Sequence, residues 1–344
     1  MTSLNAELSR RTNLYTSNVH CWEALAGIGW HQPTPADWPL AAASSVSVVI
    51  PAQNMGYCLP AVLNALHTQY HREPFEVVVV DDASRDHTAA IAAAHPIVTR
   101  AVRLPEPVGG ATARNVGTAL ASGQTVLYLD ADMVLPPHVI TDVAARATST
   151  SVLVGFRHNL PYHVHQGGAA VPAQPPDLGA DHRVVWRPPA GVRLPYTGIT
   201  LDQPLDGRPL EHTHDFVDLG HGQRYYDWDL PRMVVTALVA VPRAAVLEVG
   251  GFDAEFGRIG WGMEDTYLGA CLIAAGLLII PLRQAVGFHL DPPNAAALWQ
   301  RKLAGWPRTL AHYRDLMHKP APLGRAHAFT TTTNSLLTSC EVLR

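Results

Sequence analysis

The chain has 344 residues, 47% of them hydrophobic and 16% charged, a balance that excludes a disordered chain and suffices for one large core or two. Its formal net charge of -4 gives no electrostatic case for nucleic acid or an anionic membrane as the main partner. The four cysteines, Cys21, Cys58, Cys271 and Cys340, form no CxxC pair, which points to a reducing compartment and away from a zinc site or a disulfide framework.

The N-terminus MTSLNAELSRRTN lacks an apolar signal region, so no signal peptide is expected. Residues 1–44 read as an extension with a helix over Leu4–Leu14. Its Trp22, Trp30 and Trp38, set among prolines, are expected to pack on the main domain. Regular structure begins at Ser45. The β-branched run Ser45–Pro51 is a buried strand, Leu59–Tyr70 has helical spacing, and Glu76–Asp82 is a second strand ending in two acids. Ser84 or Asp86 caps a helix over Thr88–Ala94, followed by a short strand over Thr99–Arg103. After Gly109-Gly110 come a helix over Thr112–Ala121, the strand Thr125–Leu129, a helix over Pro136–Ala147 and a strand over Ser151–Arg157. Alternating strands and helices predict an α/β fold with a mostly parallel central sheet flanked by helices.

The pattern fails from His158 to Pro231, a stretch of Pro, Gly, His, Asp and aromatics that reads as a long irregular insertion. It holds seven histidines, with HxH pairs at His163/His165 and His212/His214, a weak signal for a second metal site. Apolar residues return at Met233–Val241, then a helix over Arg243–Val249, the turn Gly250–Asp253, and a helix starting at Glu264-Asp265. Two strands are expected over Leu277–Pro281 and Ala285–His289, then amphipathic helices over Asn294–Leu303 and Pro307–His318. The longest apolar run, Leu268–Ile280, falls short of the roughly 20 residues that cross a bilayer, so no transmembrane segment is expected. The Thr/Ser-rich stretch from Pro320 reads as a flexible tail. The expected divisions are 1–44, 45–157, 158–231, 232–319 and 320–344. Lys302 and Lys319 are the only lysines among many arginines, a composition of GC-rich bacterial genomes.

Asp130-Ala131-Asp132 is the most telling triplet. A buried strand that ends in two carboxylates places them at the C-terminal edge of the sheet, where α/β folds bind ligands. Unpaired buried carboxylates are costly, and hard oxygen donors suit Mg2+ or Mn2+ carrying phosphates; the alternative is an acidic turn that caps the next helix.

The segments VSVVIPAQN, VVVVDDASRDHT, ATARNVGTALASG, LDADM and GGFDAEFGRIGWGMED occur in that order. Together they resemble family 2 inverting glycosyltransferases of the GT-A fold, over Ser45–Arg157 and Met233–His289. The resemblance implies a nucleotide-diphosphate-sugar donor, most often UDP-linked, and a divalent metal cofactor, Mn2+ or Mg2+. Asp81 matches the family's nucleobase contact, with Pro51 and Gln53 at the pocket wall; many members have Tyr where Gln53 stands. Asp82 reads as a structural cap. Arg114 either neutralises the diphosphate or holds the Asp pair. Asp130-Ala131-Asp132 matches the DXD motif, with Asp132 on the metal and Asp130 on ribose or on the metal through water. The resemblance implies His289 as a third metal ligand; the alternative is a strand-end histidine that is simply packed. Glu264-Asp265 matches the family's ED pair, which implies Asp265 as the catalytic base, with Glu264 holding the acceptor or sharing that role; the alternative is two acids that begin a helix favoured by its dipole. Trp261 and Gly262, in a Gly-rich loop that is expected to flex, face the donor sugar. Tyr226, Trp228 and Asp229 are candidates for the acceptor pocket.

The expected activity is a single transfer to a hydroxyl or similar nucleophile of a glycan, secondary metabolite, peptide or lipid-linked sugar. The QxxRW motif and membrane helices of processive synthases are not found. The alternative is a non-catalytic sugar-nucleotide or glycan-binding module on the same fold. No nucleic acid partner is expected, and the protein is expected in the cytoplasm, free or peripheral at the membrane.

Overall fold

The structure is a computed structural model. It describes residues 2–13, 15–30, 32, 34–35, 37–38, 44–70, 73–160, 162–164, 170–172, 231 and 233–344. Its helices are α1 (Leu4–Leu8), α2 (Thr16–Ala26), α3 (Leu59–His67), α4 (Thr88–Ala94), α5 (Gly110–Leu120), α6 (Val139–Arg146), α7 (Arg243–Glu248), α8 (Glu255–Ile259), α9 (Glu264–Ala274), α10 (Ala295–Met317) and α11 (Ala326–Leu337). The strands are β1 (Val46–Ala52), β2 (Glu76–Asp81), β3 (Arg100–Arg103), β4 (Thr125–Leu129), β5 (Met133–Val134), β6 (Ser151–Leu160), β7 (Tyr162–Val164), β8 (Ala170–Pro172), β9 (Leu238–Pro242), β10 (Leu278–Leu290) and β11 (Glu341–Val342).

Nine of these strands form one sheet in the order β11-β3-β2-β1-β4-β9-β6-β10-β5. The pairings set β1, β2, β3, β4, β6 and β10 running one way, and β5, β9 and β11 the other. The sheet is therefore mostly parallel and mixed, as expected. Strands β1, β2, β4 and β9 are buried apolar runs because both faces of the sheet are covered there. Val78 and Val80 of β2 point into one core with α5 and α9, while Val77 and Val79 point into the other with α3 and α6.

The N-terminal helix is shorter than expected, since Leu4–Leu8 and Thr16–Ala26 are separate. Leu4 and Leu8 are fully buried, and α1 packs on α9. The Asn13 side chain pairs with both backbone groups of Ile279, at 2.7 and 2.8 Å. The Trp22 indole donates to the carbonyl of Ala145 at 2.8 Å, and Trp30 is buried.

Several boundaries differ from the sequence reading. β6 runs on to Leu160, and β7 pairs with β8, so the first residues of the insertion are strand. Residues 173–230 lie outside the described residues. The two strands expected beyond Leu277 are one, β10, whose register against β6 shifts between Pro281 and Val286. The shift lets the strand pass a proline that has no N–H for the ladder. The two expected closing helices are also one, α10, with Pro307 inside it.

The tail from Pro320 is not loose. It forms α11, which packs on α5 and α7, and β11, which pairs antiparallel with β3 at the sheet edge. Phe329 is buried and anchors it. Among the described residues no helix is long and apolar enough to cross a membrane.

Candidate active site

β4 is buried along its whole length, between β1 and β9, and it delivers Asp130-Ala131-Asp132 to the C-terminal edge of the parallel strands. The chain then reverses at once. Met133 N–H donates to the carbonyl of Asp130 at 3.0 Å, and β5 pairs antiparallel with the end of β10, Met133 opposite His289. Leu290 N–H donates to the carbonyl of Asp132 at 2.9 Å. Main-chain hydrogen bonds thus bring His289 beside the two aspartates. One ligand atom from each of Asp130, Asp132 and His289 lies within 4.8 Å of the others.

The chemistry of this trio fits a divalent cation. His289 Nε2 is 3.5 Å from Asp132 Oδ1, and that oxygen is buried without a hydrogen-bond partner among the described residues. Burial, with Asp130 alongside, pushes the Asp132 carboxyl up to about 8. Burial, with Arg157 nearby, pushes His289 down to about 4, so its imidazole is neutral and offers a lone pair. Two carboxylates and a neutral imidazole suit Mn2+ or Mg2+.

Arg114 lies on α5, whose start is fixed from outside. The Asp82 carboxylate accepts Val108 N–H at 2.7 Å and Gly109 N–H at 2.9 Å, holding the turn that opens the helix, in keeping with a structural role. The Arg114 guanidinium donates to Asp130 Oδ1 at 2.7 Å. Although burial works against its charge, Asp130 and Glu264 raise its pKa further. Of the two roles open to it from sequence, holding the Asp pair is the one whose contact is present.

Asp265 and Glu264 begin α9. The chain enters through Gly262 at φ 112° and Met263 at φ 76°, and Glu264 Oε2 accepts Gly262 N–H at 2.9 Å, an acid serving the helix start. Asp265 Oδ1 accepts Thr266 N–H at 2.9 Å. Burial, with Glu264 next to it, pushes the Asp265 carboxyl up to about 6, against the pull of Lys302 and Arg114. The preceding loop, expected to flex, is packed on α10. Gly260 meets Gly305, the Arg308 side chain donates to the carbonyl of Ile259 at 2.9 Å, and the Lys302 ammonium sits 4.4 Å from the centre of the Trp261 ring.

α5 and α8 approach backbone to backbone. A Cβ on Gly109 would lie 2.8 Å from Gly257 Cα, and one on Gly257 would lie 2.7 Å from the carbonyl of Val108. Only glycines allow this spacing. It brings the Arg114 helix against the segment that leads to Asp265.

These elements enclose a cavity of about 170 Å³. Asp130, Arg114, His289, Glu264, Asp265, Trp261 and Gly262 line it, so seven of the residues expected at the site meet in one place. Asp132 sits behind it with 8% exposure, and Ala131 is buried, its carbonyl accepting from Cys58 Sγ at 3.2 Å. Pro51, Gln53 and Asp81 cluster at the ends of β1 and β2 and do not line the cavity. Asp81 is fully buried; its carboxylate accepts Ser84 N–H and lies 3.4 Å from Arg103 Nε. Gln53 donates to the carbonyl of Asp82 at 3.0 Å. Tyr226, Trp228 and Asp229 lie outside the described residues.

Four charged or aromatic residues of the cavity were not singled out from sequence: Arg157, Asp291, Trp299 and Lys302. Arg157 lies near the end of a parallel strand, the same signal that found Asp130. Lys302 is one of only two lysines in the chain, a rarity that marks it.

The sequence profile of Glycosyl transferase family 2 matches residues 47–166. A validoxylamine A glucosyltransferase of Streptomyces hygroscopicus subsp. jinggangensis (strain 5008) is 31% identical over 254 residues, 71% of this chain and 55% of that protein. The chain therefore spans about half the length of the first relatives it matches. Among solved structures, S. aureus TarS 1-349 aligns over 86% of this chain and 72% of its own, with 18% identity and a TM-score of 0.47. A mannosyltransferase, PcManGT, from Pyrobaculum calidifontis aligns over 98% and 86%, also with 18% identity, at a TM-score of 0.48. Residues 47–166, which hold β1 from Ser47 onward, Arg114 and the Asp130–Asp132 turn, are a glycosyl transferase family 2 segment.

Proposed function

We propose that the protein is a metal-dependent inverting glycosyltransferase that moves a sugar from a nucleotide-diphosphate donor, UDP-linked in the favoured reading, to a hydroxyl or similar nucleophile. The observation that carries this reading is that Asp130 and His289, of the three-ligand cluster, share one cavity with Asp265. A divalent cation held by Asp132, His289 and Asp130 would offset the diphosphate charge and act as a Lewis acid on the departing nucleoside diphosphate. Arg114 fixes Asp130 for that role. Asp265 accepts the acceptor's proton as its oxygen attacks the anomeric carbon opposite the leaving group. One displacement inverts the configuration. The raised pKa of Asp265 suits a base, since a carboxylate near neutrality takes a proton more readily. Asp81, Pro51 and Gln53 would face the nucleobase, which supports a donor laid from the ends of β1 and β2 across to the cavity. Tyr226, Trp228 and Asp229 would line the acceptor side. A glycan, secondary metabolite, peptide or lipid-linked sugar fits that description equally.

The test is a thermal-shift panel of UDP-, GDP- and dTDP-sugars, each with and without Mn2+. One donor class should raise the melting temperature only when Mn2+ is present. A flat panel would sink the donor assignment.

A further inference from the structure

The proposed reaction gives no task to Asp291, a carboxylate of the cavity. Asp291 stands one residue past the end of β10 and lines the cavity. Its surroundings are fixed by the main chain. Leu290 N–H donates to the carbonyl of Asp132, and Asp291 N–H donates to the carbonyl of Leu160 at 2.8 Å. His289, just before them, is in register with Met133 on one side and Asn159 on the other. The imidazole is therefore held between two carboxylates. Its Nε2 faces Asp132 Oδ1 at 3.5 Å, and its Nδ1 faces Asp291 Oδ1 at 3.8 Å. Nδ1 is buried and has no hydrogen-bond partner among the described residues.

A neutral imidazole offers a lone pair at one nitrogen only when the other carries the proton. A buried N–H in turn needs an acceptor. At 3.8 Å the Asp291 oxygen is just outside hydrogen-bond range, so the bond forms when the two side chains draw closer. Asp291 faces the nitrogen directed away from Asp132, so it is placed to orient the ring, not to share the cation. We propose that Asp291 is a positioning residue: it accepts the proton-bearing Nδ1 of His289 and so fixes the tautomer that presents Nε2 to a divalent cation. The proposal rests on the metal reading above.

A double-mutant cycle read by Mn2+ affinity tests it. Free Mn2+ is titrated against the wild type, Asp291→Ala, Asp291→Asn, His289→Ala and the His289→Ala/Asp291→Ala pair, and followed by electron paramagnetic resonance. Asp291→Ala should weaken Mn2+ binding by roughly 10- to 100-fold, the usual effect of losing such a carboxylate. Asp291→Asn, whose side-chain oxygen still accepts an N–H, should recover part of the loss. The double variant should bind no more weakly than His289→Ala alone. Wild-type affinity in Asp291→Ala overturns the proposal and leaves the metal reading standing. So does an equal further loss in the His289→Ala background, because Asp291 would then act on the cation independently. If the wild type binds no Mn2+, the metal reading itself falls. Melting curves in EDTA identify a variant that fails to fold, and the milder Asp291→Asn then carries the comparison.

Discussion

Asn115 and Phe252 exchange two hydrogen bonds of 2.8 Å, side-chain amide against main chain: Asn115 Nδ2 donates to the carbonyl of Phe252, and Phe252 N–H donates to Asn115 Oδ1. The pair ties the helix that carries Arg114 to the Gly250–Asp253 turn, from which the chain runs on to Asp265. Both residues are buried. Asn115→Ala therefore leaves a buried N–H and a buried carbonyl without partners. At about 1–3 kcal/mol for each such group, the expected loss is about 2 kcal/mol or more in urea denaturation. A loss within about 0.5 kcal/mol, the range of ordinary surface changes, would mean that the turn is held by other contacts.

Asp265→Asn is nearly isosteric and removes only the proposed base. The expected kcat falls by about 10²- to 10⁴-fold, with donor and Mn2+ binding unchanged in thermal shift. If kcat survives and only the KM for donor rises, Asp265 is a binding residue and another group takes the proton.

The pH profile has a defined sign. Burial raises the Asp265 carboxyl to about 6, Glu264 adds to the rise, and Lys302 and Arg114 oppose it. A base works only when deprotonated. In the free enzyme kcat/KM is expected to be level above about pH 6 and to fall about tenfold per unit below it. Lys302→Met removes a cation that favours the carboxylate, so the same limb should move to higher pH. A limb that stays put, or moves lower, contradicts this placement of Lys302.

Phe329 anchors the C-terminal helix. It is 5% exposed and packs where Gly251, at φ 73°, leaves no room for a Cβ. Phe329→Ala should cost about 3–5 kcal/mol, the usual range for a buried phenylalanine, seen as an earlier urea midpoint. A midpoint shift worth less than about 1 kcal/mol would show that α11 contributes little to the fold.

The sequence was most legible where one residue type did one job. TVLYL running into Asp130-Ala131-Asp132 signalled both a strand and its chemistry, because a buried strand can end in two acids only where solvent, a counter-charge or a cation meets them. Glu264-Asp265, at a helix start, and His289, near a strand end, were legible through the family resemblance. The tail was not legible because its order is tertiary. Its Thr330, Thr331 and Thr333 hydroxyls each bond a carbonyl four residues back, and the docking of Phe329, not helix propensity, holds the helix in place. Pro281 and Pro307 misled for a related reason. Each reads as a breaker, yet a register shift absorbs the first and a 23-residue helix carries the second. Lys302 had no motif to announce it, since its role comes from the α10 face that packs on the Trp261 loop.

The contact of Gly109 with Gly257 has a consequence for how such a site can change. Main chain lying against main chain sets how closely the start of the Arg114 helix approaches the segment that leads to Asp265. Substitutions at Trp261 or Trp299 can therefore recut the shape of the pocket while its frame keeps one width. A methyl group at either glycine would act as a wedge, parting the Arg114 helix from the segment that leads to Asp265.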